Sequence, residues 1–345
     1  MKKVNKTFLT LAIVVGSLGS ISAHAEIEQD ALLKPEQIAS TKITETNIQP
    51  GQLAYRAQDT RLSATERATA LKALSHYPSQ NALVAVARAL KDGDPEIRQA
   101  AAIGAEPYGI EHRWRMVSPL LSDNEEMVRV TAATNLVRDY SNLSTEQREQ
   151  LEAPVAELIS HLNTKTDDES RLLLADVHRW HNEWTKADRI YNQLLENDKN
   201  NDVAWLSLAD NYRAQNLDEK AIETLDEAIK HNPNSAALHY SKSLTLVRLE
   251  KHKGAAKEIE TAANMAMNNS YYWYLNGVLQ EELDIDKSTK SFEKAYLISG
   301  APEQLYAVCD IYVRYDHPKS QQCLDELGKV APTYVIDQLK EKIDS

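Results

Sequence analysis

Residues 205–233 read WLSLADNYRAQNLDEKAIETLDEAIKHNP. The segment contains small residues, Ala209, Ala221 and Ala228, at positions where two helices must approach each other closely. The large Leu225 stands between the second and the third of them. Few helix breakers interrupt the segment, and its apolar residues are spaced as on amphipathic helices. It therefore predicts a pair of packed helices.

The same pattern recurs along the chain at intervals of 33 or 34 residues. Four positions of the pattern hold residues of similar size in each copy. Their members are Ala175, Ala209, Ser243 and Gly277; Ala187, Ala221, Ala255 and Ser288; Tyr191, Leu225, Ile259 and Phe292; and Leu194, Ala228, Ala262 and Ala295. A period of 34 residues with this small–large–small pattern resembles the tetratricopeptide repeat. We expect about five such repeats over residues 166–332, closed by a capping helix at residues 333–345.

A second period, of 31 residues, lies upstream and is shared by Arg67, Arg98 and Arg129. Its pattern is an apolar helix, an acidic turn, and a helix that opens with an apolar residue and Arg. This pattern resembles the short HEAT-like repeat. We therefore assign residues 61–165 to a HEAT-like repeat domain. The resemblance implies a structural ladder of charges between neighbouring repeats, carried here by Asp92, Arg98, Asp123 and Arg129. Together the two arrays predict an all-α, right-handed solenoid of helical hairpins.

The first 25 residues have the layout of a secretory signal peptide. Three lysines precede an apolar run that begins at Phe8, and the small-x-small triplet 23–25 follows it. We expect cleavage after Ala25 and a periplasmic or secreted mature protein. The later sequence has no second long apolar run, so no integral membrane span is expected after signal removal. Residues 26–60 follow neither period and are assigned to a leader or a loose N-terminal cap.

Composition narrows the classes of function. The 345 residues include 39 Lys+Arg and 51 Asp+Glu, and a formal charge of −12 makes the chain a poor general binder of nucleic acid or anionic lipid. Only 10 glycines leave little material for a phosphate loop, and the G-x-S-x-G and H-E-x-x-H motifs are absent from the sequence. His178 and His181 share a helix face, but two ligands are too few for a tight metal site. No catalytic residue, metal or other cofactor is predicted.

The two cysteines, Cys309 and Cys323, are predicted to lie on the two helices of the last hairpin. Neither belongs to a C-x-x-C-H motif, which excludes covalent haem attachment by this sequence. In an oxidising compartment we predict a disulfide, which would close a loop of about 15 residues and stabilise the fold by roughly 3 kcal/mol. Two buried free thiols are the alternative.

In tetratricopeptide arrays the first helix of each pair lines a concave surface, so the resemblance implies a binding groove. Its lining combines tyrosines with leucines and charged side chains, and comprises Arg179, Leu206, Asp210, Arg213, Tyr240, Leu244, Arg248, Tyr271, Tyr274, Tyr306 and Arg314. Tyr and Arg are enriched at binding hot spots, and such a surface suits an extended peptide or a partner helix. The alternative is that the tyrosines only complete the packing between repeats.

These observations predict an exported, non-enzymatic scaffold or adaptor that holds a protein or peptide in the groove. The order of HEAT-like and then tetratricopeptide repeats also resembles the tail region of some periplasmic multihaem cytochromes. That resemblance implies a role near c-type cytochrome assembly or respiratory electron transfer, although the haem motifs are absent. A cell-envelope assembly accessory protein that uses the same groove is the alternative. An enzyme with an unrecognised site is a third hypothesis, which clustered titratable groups in one deep pocket would favour.

Overall fold

The computed structural model describes residues 50–341. Within this range every regular element is helical, which confirms the all-α prediction. The described residues divide into two compact units between Asn182 and Glu183. The expected signal peptide, its cleavage site after Ala25, the first part of the leader and residues 342–345 of the capping helix lie outside the described residues.

Unit 1 contains eight α-helices in the part of the chain that the structure describes. They are α1 (Pro50–Gln58), α2 (Ala64–Ala73), α3 (Gln80–Ala89), α4 (Pro95–Gly104), α5 (Ile110–Val117), α6 (Glu126–Val137), α7 (Thr145–Asn163) and α8 (Asp168–Trp180). Helices α2, α4 and α6 lie side by side, α3 packs on α4, and α5 and α7 pack on α6. Short 3-10 helices follow three of these helices, at Leu74–His76, Ser118–Ser122 and Tyr140–Asn142.

Both ends of unit 1 differ from the simple repeat pattern. Helix α1 lies in the segment assigned to a leader or loose cap, and it buries Leu53, Ala54 and Ala57 where it packs on α2 and α3. Helix α8 carries Ala175 of the 34-residue period but belongs to unit 1, because it packs on α6 and α7.

The arginines of the 31-residue period join neighbouring repeats of unit 1. Each guanidinium donates to a carboxylate from the following repeat; Arg98 and Arg129 also donate to two turn carbonyls each, and Arg67 to the Ala57 carbonyl of α1. The three ion pairs, called here the ladder, are Arg67 Nη2 with Asp92 Oδ2 at 2.8 Å, Arg98 Nε with Asp123 Oδ2 at 2.7 Å, and Arg129 Nε with Glu157 Oε2 at 2.9 Å. The repeat that contains Arg67 has no turn aspartate of its own. Arg67 pairs instead with Asp92, in the turn of the following repeat.

Arg98 shows how one ladder residue connects two turns. Its Nη1 donates to the carbonyls of Asp92 at 2.9 Å and Gly93 at 3.0 Å, while its Nε and Nη2 hold both carboxylate oxygens of Asp123. The Asp123 side chain is only 8% exposed. The hydrogen bond from Arg98 lowers the pKa of Asp123 below the ordinary aspartate range. Loss of Arg98 would therefore leave a nearly buried carboxylate without its main partner.

Unit 2 contains ten α-helices in the described range. They are α9 (Trp184–Asn197), α10 (Asp202–Ala214), α11 (Asp218–His231), α12 (Ala236–Arg248), α13 (His252–Met265), α14 (Ser270–Gln280), α15 (Ile285–Ser299), α16 (Pro302–Arg314), α17 (Ser320–Leu327) and α18 (Thr333–Glu341). From α9 to α17, each helix packs on the next in sequence. Helix α18 lies in the segment expected to cap the array; it packs on α16 and buries Ile336 and Leu339.

The 34-residue period is also a period of helix starts. Asp167, Asn201, Ser235 and Asn269 are the N-cap residues of α8, α10, α12 and α14. Each side chain accepts a hydrogen bond from a backbone N–H of the first turn, which satisfies a donor that the helix itself leaves unpaired. These caps fix where each first helix begins, and therefore which of its residues face the neighbouring repeats.

The small–large–small pattern corresponds to a close contact between α14 and α15. A Cβ placed on Gly277 would come within 2.8 Å of two ring carbons of Phe292, which is buried. The Ser288 hydroxyl donates to the Gly277 carbonyl at 2.7 Å across the same contact. Where the period has its bulky Phe292, glycine at position 277 avoids a close contact with the ring.

Candidate binding surface on the first helices of unit 2

In unit 2 the first helix of each pair contacts the first helix of the next pair. These first helices are α10, α12, α14 and α16. Arg213 of α10 reaches Ser241 of α12, and Tyr240 of α12 packs on Tyr271 of α14. At the next step, Glu281 at the end of α14 pairs with Arg314 of α16. The predicted groove residues from 206 to 314 therefore lie on adjacent helices, one repeat after another. We call this set the first-helix surface.

Aromatic rings form the middle of the first-helix surface. The Tyr240 ring stacks on Tyr272 with centroids 4.9 Å apart and meets Tyr271 edge-on at 6.2 Å. Tyr272 is buried, whereas Tyr240 and Tyr271 remain partly exposed. Burial raises the pKa of Tyr272 to about 12 and also raises the pKa of Tyr240, to which Tyr271 adds. Tyr272 serves packing, and Tyr240 and Tyr271 both pack and reach solvent.

Two further tyrosines continue the surface toward the end of the chain. Tyr274 meets Phe292 edge-on with centroids 5.6 Å apart, and both Tyr274 and Tyr306 pack against the core around α16 while staying partly exposed. Burial raises the pKa of Tyr274, and the nearby Tyr271, Asp310 and Tyr306 add to the shift. We call Tyr240, Tyr271, Tyr274 and Tyr306 the tyrosine row.

Arg213 is held inside the protein surface. Its Nη1 donates to Thr245 Oγ1 at 2.8 Å, to Ser241 Oγ at 2.9 Å and to the Ser241 carbonyl at 3.1 Å. Its Nη2 donates to Asp210, one helical turn away. These bonds make Arg213 a brace between α10 and α12, so substituting it would test stability as well as binding.

The other two arginines of the first-helix surface are also paired. Arg248 Nε donates to Asp218 at 2.8 Å, which ties the end of α12 to the start of α11. Arg314 donates to Glu281 through Nη2 at 3.1 Å and to Asp310 through Nε at 2.8 Å. Carboxylates therefore neutralise the positive charge of this surface locally.

The other predicted groove residues differ in burial and in the unit to which they belong. Leu206 is buried, Leu244 is partly exposed, and both lie on the first helices of unit 2. Arg179 belongs to α8 in unit 1, where it pairs with Asp176 at 3.1 Å and lies against the Trp180 ring. The structure thus brings ten of the predicted groove residues together in unit 2 and describes Arg179 in the other unit.

Cys309 of α16 and Cys323 of α17 are joined in the structure, with their Cα atoms 5.4 Å apart. Both side chains are buried. Whether they are oxidised in the cell stays a prediction, which a thiol measurement can test.

Metal binding gains no support from the histidines. His178 is buried at a packing position, and His181 Nε2 lies 3.2 Å from Glu152. Within residues 50–341, no three or more His, Cys, Asp or Glu side chains are grouped so that they could hold a metal ion. In the same range, none of the helices combines the length and apolar character needed to cross a bilayer.

Sequence reasoning missed two contributors to this surface. Tyr272 occupies the position of Leu238 one repeat earlier, and this spacing could have identified it as the core ring under Tyr240. Thr245, which accepts from Arg213, carries no sequence signal, because the contact depends on how a long side chain crosses between two helices.

The tetratricopeptide repeat family model matches residues 181–244. That stretch is similar to the family over α9, the helix pair of α10 and α11, and most of α12. No curated protein matches the chain.

Several solved structures resemble the chain. YrrB, a TPR protein with an unusual peptide-binding site, has a TM-score of 0.41 and 19% identity over 54% of this chain and 97% of its own. PilF from Pseudomonas aeruginosa has a TM-score of 0.41 and 16% identity over 62% of this chain and 97% of its own. MamA from Desulfovibrio magneticus RS-1, from residue 41 onward, has a TM-score of 0.39 and 16% identity over 52% of this chain and 97% of its own.

Proposed function

We propose that the chain is a non-enzymatic scaffold or adaptor that binds a segment of another protein on the first-helix surface of unit 2. The observation that carries this proposal is the tyrosine row, whose members pack on a neighbouring ring or on the core and yet remain partly exposed on three successive first helices. Rings held in this way present amphipathic contact area at little entropic cost, because their neighbours already fix them.

The partial exposure of the tyrosine row supports a role in binding over a role in packing alone. A purely structural aromatic would be enclosed like Tyr272, which is 3% exposed. The members of the row are instead only partly buried. Local pairing of the arginines favours a partner held by shape and aromatic contact over one held by a dense positive patch.

Export and pathway remain proposals from the sequence. We propose a periplasmic or secreted location on the layout of residues 1–25, and a link to c-type cytochrome assembly or respiratory electron transfer on the order of the two repeat types. A cell-envelope assembly accessory protein using the same surface is the alternative, and the identity of the captured partner distinguishes the two.

The test is affinity capture from the native extract with the purified protein, followed by mass spectrometry and reconstitution with the identified partner. The variant is Tyr271→Ala with Tyr306→Ala, and the matched control is Tyr334→Ala, a tyrosine of α18 that is 64% exposed. We expect the double variant to lose the partner while its circular dichroism is unchanged, and the control to retain it. Equal capture by all three proteins would contradict the proposal.

A further inference from the structure

Two pairs of neighbouring side chains lie on α14 and α16 in the first-helix surface. Tyr271 and Tyr274 are three residues apart on α14, and Tyr306 and Asp310 are four residues apart on α16. Side chains at these spacings are neighbours on one face of a helix. Each helix therefore presents two adjacent members of the surface, and one of the four is a carboxylate.

The two pairs are close to each other in the fold. Tyr274 and Tyr306 pack against the same buried cluster around α16 and stay partly exposed. Burial is the main cause of the raised pKa of Tyr274, and Tyr271, Asp310 and Tyr306 add to it. Because an electrostatic influence falls with distance, these three side chains lie near the Tyr274 hydroxyl.

Carboxylates outnumber cations beside these tyrosines. Arg314 donates to Asp310 at 2.8 Å and to Glu281 at 3.1 Å, so two carboxylates share one guanidinium. Two further acids, Glu282 after α14 and Glu303 in the first turn of α16, are exposed. The single arginine does not balance these four carboxylates.

The neighbouring first helices do not supply the missing positive charge. Helix α14 carries no charged residue between Ser270 and Gln280. On α12, Lys242 is paired with two carboxylates and Arg248 with one. The part of the surface on α14 and α16 therefore stays negative, and a complementary partner brings a cation to it.

Aromatic rings and carboxylates together select a cation. The face of a tyrosine ring attracts a cation, and a carboxylate accepts a charge-assisted hydrogen bond from an ammonium or a guanidinium group. Unit 2 already contains contacts of this kind. Lys294 Nζ lies 3.7 Å from the centre of the Trp273 ring, and Lys220 Nζ lies 4.1 Å from the centre of the Tyr212 ring.

We propose that Tyr274 and Tyr306, together with Asp310, bind a lysine or arginine side chain of the partner segment. The cation lies against the tyrosine rings and shares the Asp310 carboxylate with Arg314. This inference rests on the proposed function and names the chemistry of the residue by which the partner is anchored.

The experiment is an NMR titration of the purified protein with isotopically labelled tyrosine rings. The cationic probes are N-acetyl-lysine methylamide and N-acetyl-arginine methylamide, and their uncharged counterparts are the norleucine and citrulline compounds. We expect a dissociation constant on the order of 1 mM for the better cationic probe, as suits a ligand of this size. Its uncharged counterpart should bind about ten times more weakly. The order of the two cationic probes distinguishes lysine from arginine.

The carboxylate is tested first. Asp310→Asn keeps the size of the side chain and removes its charge, while Glu281 still holds Arg314. This variant should weaken the cationic probe about fivefold and leave the uncharged probe unchanged. The matched control is Glu326→Gln, because Glu326 is an exposed carboxylate of α17 that pairs with Lys329 at 2.7 Å. The control should leave binding unchanged.

The aromatic face is tested at Tyr306. Tyr306→Leu keeps an apolar side chain without a ring and should weaken the cationic probe about fivefold. Tyr306→Phe keeps the ring and should weaken it less than Tyr306→Leu does. Circular dichroism checks that each variant is folded, and Asp310→Asn carries the test if Tyr306→Leu is not.

Equal binding of the cationic and uncharged probes would overturn the inference. Absence of saturable binding, or binding that Asp310→Asn leaves unchanged, would overturn it as well. In each of these cases the proposed function stands if the double tyrosine variant loses the native partner. The proposed function fails separately, if capture of that partner is unaffected by the tyrosine variants.

Discussion

The two units connect their repeats in different ways. In unit 1 the connection is of one kind at each step, an arginine that donates to at least one backbone carbonyl and to a carboxylate of the next repeat. In unit 2 each step differs, with Arg213 bonded to Ser241, Tyr240 packed on Tyr271, and Arg314 paired with Glu281. A contact of one kind at every step holds neighbouring repeats together and so serves stability. The contacts that vary, and that leave aromatic rings partly exposed, are where binding specificity can reside.

The largest expected effect concerns the covalent brace of unit 2. Cys309→Ser with Cys323→Ser should lower the free energy of unfolding by about 3 kcal/mol, because the disulfide closes a loop of about 15 residues. The variant should speed hydrogen exchange in α16 and α17 and leave unit 1 unaffected. Intact mass with thiol alkylation of the protein purified without reductant tests the oxidation itself, and two alkylated thiols would contradict it.

The ladder gives the next largest effect. Arg98→Ala should cost about 2 kcal/mol, because charged hydrogen bonds are lost and Asp123 is left nearly buried. Urea unfolding measures the change. The matched control is Arg61→Ala, whose pair with Asp59 is exposed and should not affect stability measurably. Equal effects of the two substitutions would mean that the ladder does not hold unit 1 together.

A smaller effect is expected at the close contact in unit 2. Gly277→Ala should cost about 1.5 kcal/mol, because the new Cβ overlaps the Phe292 ring. Adding Phe292→Leu should restore part of the loss, since it removes the overlapping ring atoms. Thermal unfolding of the single and double variants measures the coupling, and strictly additive losses would argue against the contact.

The smallest effect is the acid sensitivity of the ladder. The pKa of Asp123 is lowered in the folded chain, chiefly by Arg98, so its contribution to stability is complete above the ordinary aspartate pKa of about 4. That contribution is lost as the pH falls through the lowered folded-state pKa. Urea unfolding at several pH values should therefore show a shallower acid loss in Arg98→Ala than in the wild type. Parallel curves would exclude this linkage.

Sequence patterns predicted the repeated features best. Ala209, Leu225 and Ala228 identified the helix pairs of unit 2 because packing between helices demands small and large residues at fixed intervals. The N-caps Asn201 and Ser235 follow the same period and could have defined the helix starts as well.

Features that depend on long side chains were harder to predict. Glu157 stands where the period gives no aspartate, so the sequence contained no sign that it pairs with Arg129. The groove arginines were expected to face a ligand, whereas Arg213 donates to Ser241 and Thr245 within the fold. Such contacts depend on side-chain paths between helices, which residue spacing does not encode.

The most direct test of the central claim is photo-crosslinking in living cells. The photoreactive residue p-benzoylphenylalanine is introduced separately at Tyr271, at Tyr306 and, as a control, at Tyr334. If the tyrosine row binds the partner, positions 271 and 306 will crosslink to the same protein and position 334 will not. Crosslinks of equal yield at all three positions, or at position 334 alone, would contradict the claim that the first-helix surface is the binding site.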